Sequence, residues 1–253
     1  RIARKQCKAG KRFKVITWST RGLGAPFSIF DQYQKAMCMV DLFTKRGAGL
    51  AVLTDLRYTS KGVREYNTPH GKWTVAVAGK VGFAMNERWA EWWRQGGSKL
   101  IMGEGRDGEE IREAGIEFPR KGWKRGLFVC GVYSPISSVR KGKRDACRRG
   151  VEKVLEQASG STLRVVAGDL NADFGVDKDG MWQDVLGQHG LADLSQSGLE
   201  WLEWCRREGF IEAASCYVQR ERGTWWHPRY GSAHVLDHML LQAKDKWHLT
   251  SCR

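Results

Sequence analysis

Apolar positions along the chain recur with two periods, and the places where one period gives way to the other outline alternating strands and helices. Phe13, Val15, Ile16 and Trp18 crowd positions 13–18, and Arg21-Gly22-Leu23-Gly24 follows, so a strand ending in a tight turn is predicted. Over 27–45, Phe30, Tyr33, Met37, Val40 and Leu42 recur at helical spacing, with Gly47 and Gly49 closing the helix. The run at 50–54 predicts a short buried strand, and 73–85 predicts two strands joined near Gly79. Residues 87–95 predict a short helix whose Trp89, Trp92 and Trp93 fall on a core-facing stripe. Edge strands are expected in the less regular stretch up to 124. Residues 127–133 predict a strand stopped by Pro135, then come a helix over 143–158 and a strand over 163–167 leading into Gly168-Asp169. Helices over 181–188 and 198–208 and a strand over 235–241 complete the pattern. Such irregular alternation, hairpins included, fits two packed sheets flanked by helices.

Composition narrows the partners. The chain has 253 residues, 42% hydrophobic and 28% charged, which suits one domain with a core that needs neither disulfides nor structural metal. Its 42 Lys and Arg against 28 Asp and Glu leave a net charge of +14, more than solubility requires and appropriate to a polyanionic partner. Residues 1–12 are read as a flexible basic arm and 13–253 as a single domain. Seven cysteines are scattered without a C-x-x-C pair, which disfavours a disulfide framework and a zinc ribbon and points to a reducing compartment, cytosol or nucleus. No apolar run approaches a membrane span, so no membrane partner is expected. The basic N-terminus lacks the apolar core of a signal peptide.

Polar residues suited to phosphate chemistry sit where predicted strands end. Ser19 follows the first strand, Asp55 the second, Tyr133 the strand before Pro135, and Asp169 and Asn171 the strand after it, while Asp237 lies in the last. Carboxylates with amide and hydroxyl partners at one rim would suit a hard, oxygen-loving Mg²⁺. The ordered motifs extend that reading. Thr17-Trp18-Ser19-Thr20-Arg21-Gly22-Leu23 resembles T-W-N-x-R-G-L, and Val52-Leu53-Thr54-Asp55-Leu56-Arg57 stands where I-x-x-Q-E-T is found. Val132-Tyr133-Ser134-Pro135 resembles V-Y-x-P, and Gly168-Asp169-Leu170-Asn171-Ala172 matches G-D-x-N-A. Thr224-Trp225-Trp226 resembles T-[WF]-x, and Val235-Leu236-Asp237-His238-Met239-Leu240 resembles R-I-D-[YH]-I-L. In this order and over nearly the whole chain, the set resembles the endonuclease/exonuclease/phosphatase superfamily, and most of all the apurinic-type endonuclease domain of LINE-type (non-LTR) retrotransposons.

The resemblance implies an α+β, four-layer αββα sandwich of two mainly antiparallel sheets flanked by helices, with its C-terminal strand missing. It implies a Mg²⁺-dependent phosphodiesterase (Mn²⁺ being the alternative metal) that nicks DNA. The cut would leave a 3′-hydroxyl primer for a reverse transcriptase fused to it in a parent polyprotein. Asp55 would be the principal metal ligand, with Ser19 beside it. Asp169 would position or deprotonate the attacking water, Asn171 would hydrogen-bond the scissile phosphate, and Tyr133 would stabilise the phosphorane or leaving oxygen. Asp237 would orient a catalytic His, and Thr224 would line a DNA-contacting loop.

Three departures bear on competence. Ser19 stands where the family has Asn, and Asp55 where it has Glu, one methylene longer. The terminal S-D-H motif is absent up to Arg253, so the sequence is expected to be truncated or degenerate at its C-terminus. His238 is a poor replacement for that His, because neighbours on a strand point to opposite faces. Arg21, Arg140, Lys141, Lys143 and Arg144, with Arg148 and Arg149 nearby, are candidates to grip phosphates. Trp225 and Arg229, with Arg220 and Arg222, form a second basic edge, where a Trp could wedge between or stack on bases. Two other readings stay open: a non-catalytic nucleic-acid-binding descendant, and a phosphodiesterase acting on small molecules or lipids.

Overall fold

Two strand–helix–strand crossovers organise the protein, each joining a parallel pair inside an otherwise antiparallel sheet. The computed structural model describes residues 14–23, 29–58, 61–103, 110–120, 125–160, 162–190, 193–218 and 223–252; the basic arm expected at 1–12 lies outside them. In chain order the elements are β1 (Val15–Ser19), α1 (Ile29–Lys45), β2 (Leu50–Thr54), β3 (Gly62–Thr68), β4 (Gly71–Ala78), β5 (Val81–Asn86) and α2 (Glu87–Gln95). They continue with β6 (Leu100–Met102), β7 (Glu113–Phe118), β8 (Gly126–Tyr133), α3 (Lys141–Glu156), β9 (Thr162–Asp169), α4 (Gln196–Glu208) and β10 (Phe210–Glu212). A two-strand hairpin, β11 (Trp225–Trp226) and β12 (Ala233–His234), precedes β13 (Asp237–Gln242).

One sheet has the order β1-β2-β5-β4-β3 and the other β10-β13-β9-β8-β7-β6. The parallel pairs are β1–β2, linked through α1, and β8–β9, linked through α3, as parallel neighbours need a crossover. Side-chain alternation sorts each strand between two interiors. Leu127 and Val129 of β8, Val165 and Ala167 of β9, and Leu241 of β13 meet Leu50, Val52, Phe83 and Met85 between the sheets. Phe128, Cys130 and Val132, Val166, and Leu240 face the other way, onto Val151 and Val154 of α3 and Trp201 and Trp204 of α4. On the far side, Ala36, Val40 and Phe43 of α1 cover Leu53, Trp73 and Val75. The result is the expected α+β sandwich of four layers, each sheet mixed by one parallel pair. Trp89 and Trp93 of α2 are core residues of the inner layer, as their spacing implied.

Several elements differ from expectation. The helix over 181–188 is a set of turns, with Val185 and Leu186 both donating back to the Trp182 carbonyl. Gly187 then presses so close to Ser215 that a Cβ would lie 2.2 Å from its carbonyl oxygen. The segment therefore docks as a loop instead of propagating a helix. β3 went unread because only Tyr66 of its seven residues is buried, leaving no alternation to see. β7 is an interior strand between β6 and β8, while β6 is an edge. Among the described residues, no helix is long and apolar enough to cross a membrane.

The basic cluster after Tyr133 is divided between surface and interior. Arg144 is only 7% exposed: its Nε and Nη2 donate to Glu200 of α4 at 3.0 and 2.7 Å, and Nη1 donates to the carbonyls of Ser137 and Val139. Arg148, equally buried, reaches the same Glu200 at 2.9 Å. Arg144 was expected to grip phosphate. That expectation is corrected, because its guanidinium is consumed in joining α3 to α4. The same bonds, Arg144 first, hold the Glu200 carboxyl below its ordinary range.

A second buried acid behaves oppositely. Glu113 opens β7 at 6% exposure, and burial pushes its carboxyl up to about 7, against the pull of the Cys147 thiol and the Arg112 charge. Two outcomes follow from these groups. Glu200→Ala leaves two buried guanidiniums without their shared carboxylate and is expected to cost about 3–5 kcal/mol in denaturant unfolding. Folded Glu113 keeps its proton between the ordinary value of 4.5 and about 7, whereas the unfolded chain has lost it. Stability is therefore expected to fall across that window by about 3 kcal/mol from this group and to level off above it. Urea titrations at pH 5 and pH 8 should show the drop in the wild type and a flatter response in Glu113→Gln.

Candidate active site

The crossovers bring four strand ends to one rim. In the parallel pair β1–β2, Ser19 stands beside Thr54, with Asp55 next in the chain. In β8–β9, Tyr133 stands beside Asp169, and across the antiparallel pair β9–β13 Asp169 faces Asp237. Tyr133, Asp169 and Asp237 thus form a row across three strands. β1 lies against β9 and β13, which carries Ser19 and Asp55 towards that row.

Each loop is shaped to hold its side chain. Thr20 Oγ1 donates to the carbonyls of Thr54 and Asp55 at 2.9 and 3.0 Å, and the Gly22 N–H donates to the Asp55 carbonyl at 2.9 Å. Asp55 adopts φ +52° and Asn171 φ +47°, a left-handed backbone that residues other than glycine take only when neighbours enforce it. At Asn171 the enforcement is local. Its N–H donates to Asp169 Oδ1 at 2.9 Å, and its Nδ2 donates to the Ser134 carbonyl at 2.7 Å. Gly168, at φ +148°, packs so tightly on β8 that an added Cβ would sit 2.1 Å from the Val132 oxygen, which accounts for the glycine of the G-D-x-N-A run.

The electrostatics are those of crowded anions. Burial pushes the Asp169 carboxyl up to about 7, and the charges of Asp237 and Asp55 add to it, while the Asn171 N–H and His238 act the other way. Asp237 is raised by burial too, opposed by its hydrogen bond with Thr224 and by His238. The half-buried Tyr133 hydroxyl is pushed up to about 12, first by burial and then by Asp55 and Asp169, and it hydrogen-bonds the Asp55 carboxylate. Arg112 lies 5.2 Å from the centre of the Tyr133 ring. Buried Asp237 Oδ1 has no hydrogen-bond partner.

A divalent cation fits this donor set. Like-charged carboxylates with one orphaned oxygen are stabilised by added positive charge. Among the described residues, no three His, Cys, Asp or Glu side chains form a ready-made metal cage. A cation here would complete its shell with water or phosphate oxygens, as Mg²⁺ habitually does.

The other expected residues are distributed around the rim. Arg21 is exposed on the turn after β1. Arg140, Lys141 and Lys143 are exposed at the start of α3, seven to ten positions after Tyr133, with Lys141 paired to Asp145 at 2.9 Å. Trp225 is half-buried, and Trp226 and Arg229 are exposed on the β11–β12 hairpin. Arg220 and Arg222 lie outside the described residues. Thr224 is exposed, and its Oγ1 accepts from the N–H groups of Leu236 and Asp237 at 3.0 and 3.1 Å. His238, 3% exposed, stacks on Phe174 at 4.0 Å, away from Asp237 on the strand. Sequence reading missed two polar pairs beneath the rim, His238 with Glu212 at 3.6 Å and His234 with Asp173 at 2.8 Å. The second had a signal, since Asp173 is two residues past Asn171 and His234 three before Asp237.

Neither a family model nor a curated protein sequence matches the chain. Solved structures do. An AP endonuclease from Leishmania major superposes with a TM-score of 0.60 at 13% identity, covering 95% of this chain and 82% of its own. The endonuclease domain of TRAS1, a telomere-specific non-LTR retrotransposon, gives 0.51 at 11%, covering 91% and 84%. An endonuclease/exonuclease/phosphatase family protein from Leptotrichia buccalis gives 0.52 at 10%, covering 91% and 88%. At such identities the likeness speaks for architecture alone, and in architecture the chain has the endonuclease/exonuclease/phosphatase fold.

Proposed function

We propose that this protein is a metal-dependent phosphodiesterase that nicks DNA, of the kind retrotransposons use to open a target strand. The observation that carries the reading is the convergence of Asp55, Asp169, Asp237 and Tyr133 at one rim. Asp55, flanked by Ser19, would hold Mg²⁺ or Mn²⁺, which when bound supplies positive charge to a phosphate and acidifies water. Asp169, once ionised, orients the attacking water and accepts its proton. The second N–H of the Asn171 amide is left to hydrogen-bond a phosphate oxygen, and the Tyr133 hydroxyl donates to charge developing there. Asp237 keeps Oδ1 for a donor brought by substrate or by another part of the protein.

Exposed Arg21, Arg140, Lys141 and Lys143, and on the β11–β12 hairpin exposed Arg229 and Trp226 with half-buried Trp225, suit a nucleic-acid backbone with bases alongside. The structural neighbours include endonucleases and a mannosyl-6-phosphatase alike, so the preference for DNA over a small phosphate ester rests on the exposed basic and aromatic residues. In this reading the nick leaves a 3′-hydroxyl for a reverse transcriptase carried by the same parent protein, and the reaction takes place in the nucleus or cytoplasm.

Supercoiled plasmid with Mg²⁺ is expected to become open circle, and EDTA is expected to stop the conversion. Asp169→Asn should slow nicking about 10³-fold or more while DNA affinity holds. Wild-type binding without any nicking would instead favour a descendant that only binds DNA. Asp55→Glu restores the methylene that the family's ligand has; it is expected to lower the Mg²⁺ concentration for half-maximal rate, by about tenfold if ligand reach is what limits the site.

A further inference from the structure

The hairpin that presents Trp226, Arg229 and Tyr230 is a short piece of structure with little of its own to hold it. It consists of two pairs, Trp225↔His234 and Trp226↔Ala233, and a two-stranded ribbon that small is marginal in water. Its tip is exposed, with Trp226 at 54% and Tyr230 at 74%. Inside it, His227 stacks on Tyr230 at 4.7 Å, and Trp225 stands 5.5 Å from both His227 and His234. Something at the stem has to set where this tip points.

Thr224 ties the start of the stem to β13, and one acid ties its other strand to the loop after β9. Asp173 Oδ2 meets His234 Nδ1 at 2.8 Å, and Oδ1 accepts the Val235 N–H at 3.0 Å. Among the described residues, the first is the one side-chain hydrogen bond between positions 225–234 and the rest of the protein. A carboxylate only accepts, so Nδ1 carries the hydrogen, and Nε2 is left facing Ser232 Oγ at 3.0 Å. Asp173 is itself anchored through its backbone. Its N–H donates to Ser195 Oγ at 3.1 Å, and its carbonyl accepts the Ser195 N–H at 3.0 Å. Ser195 in turn caps α4, and Gly198 approaches so closely that a Cβ would lie 1.9 Å from the Asp173 oxygen. Two residues before Asp173 stands Asn171, and His238 Nε2 bridges the Ala172 and Val235 carbonyls at 2.8 Å each.

We propose that Asp173 and His234 are a positioning pair that fixes the β11–β12 hairpin to the loop carrying Asp169 and Asn171, so that this joint sets the hairpin's grip on DNA. The proposal rests on reading the rim as a DNA phosphodiesterase site. Freeing His234 lets the tip wander while the carboxylate row stays as it is. The effect then belongs to DNA engagement and not to the chemistry.

The experiment compares wild type, His234→Ala, His234→Asn and Asp173→Asn on two substrates, supercoiled plasmid and bis(p-nitrophenyl) phosphate, with hydrogen exchange read by mass spectrometry. For His234→Ala the plasmid KM should rise about tenfold, a loss of about 1.4 kcal/mol, with kcat and small-ester hydrolysis changed less than about twofold. Exchange should quicken over 223–236 and stay unchanged over 163–171. His234→Asn keeps a donor near the Nδ1 position and should recover most of the KM. Equal losses on both substrates, or unaltered exchange in the hairpin, overturn the proposal. If His234→Ala does not fold, His234→Phe, which keeps a ring beside Trp225 without the Nδ1 donor, carries the same comparison; Asp173→Asn, whose amide can accept from Val235 and donate to His234, should keep most of the wild-type KM. If wild type cleaves neither substrate, the phosphodiesterase reading falls. The joint is then decided by fluorescent-duplex affinity and exchange: weaker binding with a loosened hairpin supports it, and no change in either overturns it.

Discussion

Mutual repulsion among Asp55, Asp169 and Asp237 is the force against which this rim is built. Two of the three face each other across β9 and β13, where like charges directly opposite are unfavourable. Burial adds to the cost, as the raised Asp169 and Asp237 carboxyls record. Strand register offsets that cost, because neither β9 nor β13 can slide without turning its whole set of core side chains to the wrong face. Local hydrogen bonds do the remainder: Asn171 secures Asp169, Thr224 secures Asp237, and the Tyr133 hydroxyl secures Asp55. Such an arrangement costs the folded state stability, which is what the proposed function leads one to expect of a site.

Positive charge is deployed in two distinct ways along α3. Its outward residues Lys141 and Lys143 stay in solvent, while Arg144 and Arg148 spend theirs on Glu200. The helix thus carries a basic surface and an ionic seam on opposite sides. Formal charge counted from sequence merges the two, so two of the 42 Lys and Arg are not available to a polyanion. The planar fork of Arg suits the seam, since it satisfies a carboxylate and two carbonyls from one side chain.

The sandwich was largely legible because β2, β5, β8 and β9 are buried on both faces and read as continuous apolar runs. β3 was not, since six of its seven residues are not buried, and the supposed helix after Gly180 was not, since docking against Ser215 overrode its local spacing. The rim residues were legible as motifs at strand ends, and topology gathers Tyr133, Asp169 and Asp237 into one row. What stayed hidden was partnership. Nothing in the order of residues says that Arg144 faces Glu200 across 56 positions, and the nearness of Asp173 and His234 to rim motifs does not by itself say that they meet across 61. Those pairings depend on how α4 and the hairpin dock, and both are long-range events.

The double life of β8 has a consequence for how such a chain can change over generations. Leu127 and Val129 serve one interior and Phe128, Cys130 and Val132 another, so the strand has no neutral side. Gaining or losing a single codon inside it would exchange the two oily surfaces and rotate Tyr133 out of its place. Drift in length is therefore confined to the connections, and the strands can vary in sequence only by substitution, which is how one fold can be shared by proteins that have about one residue in eight in common.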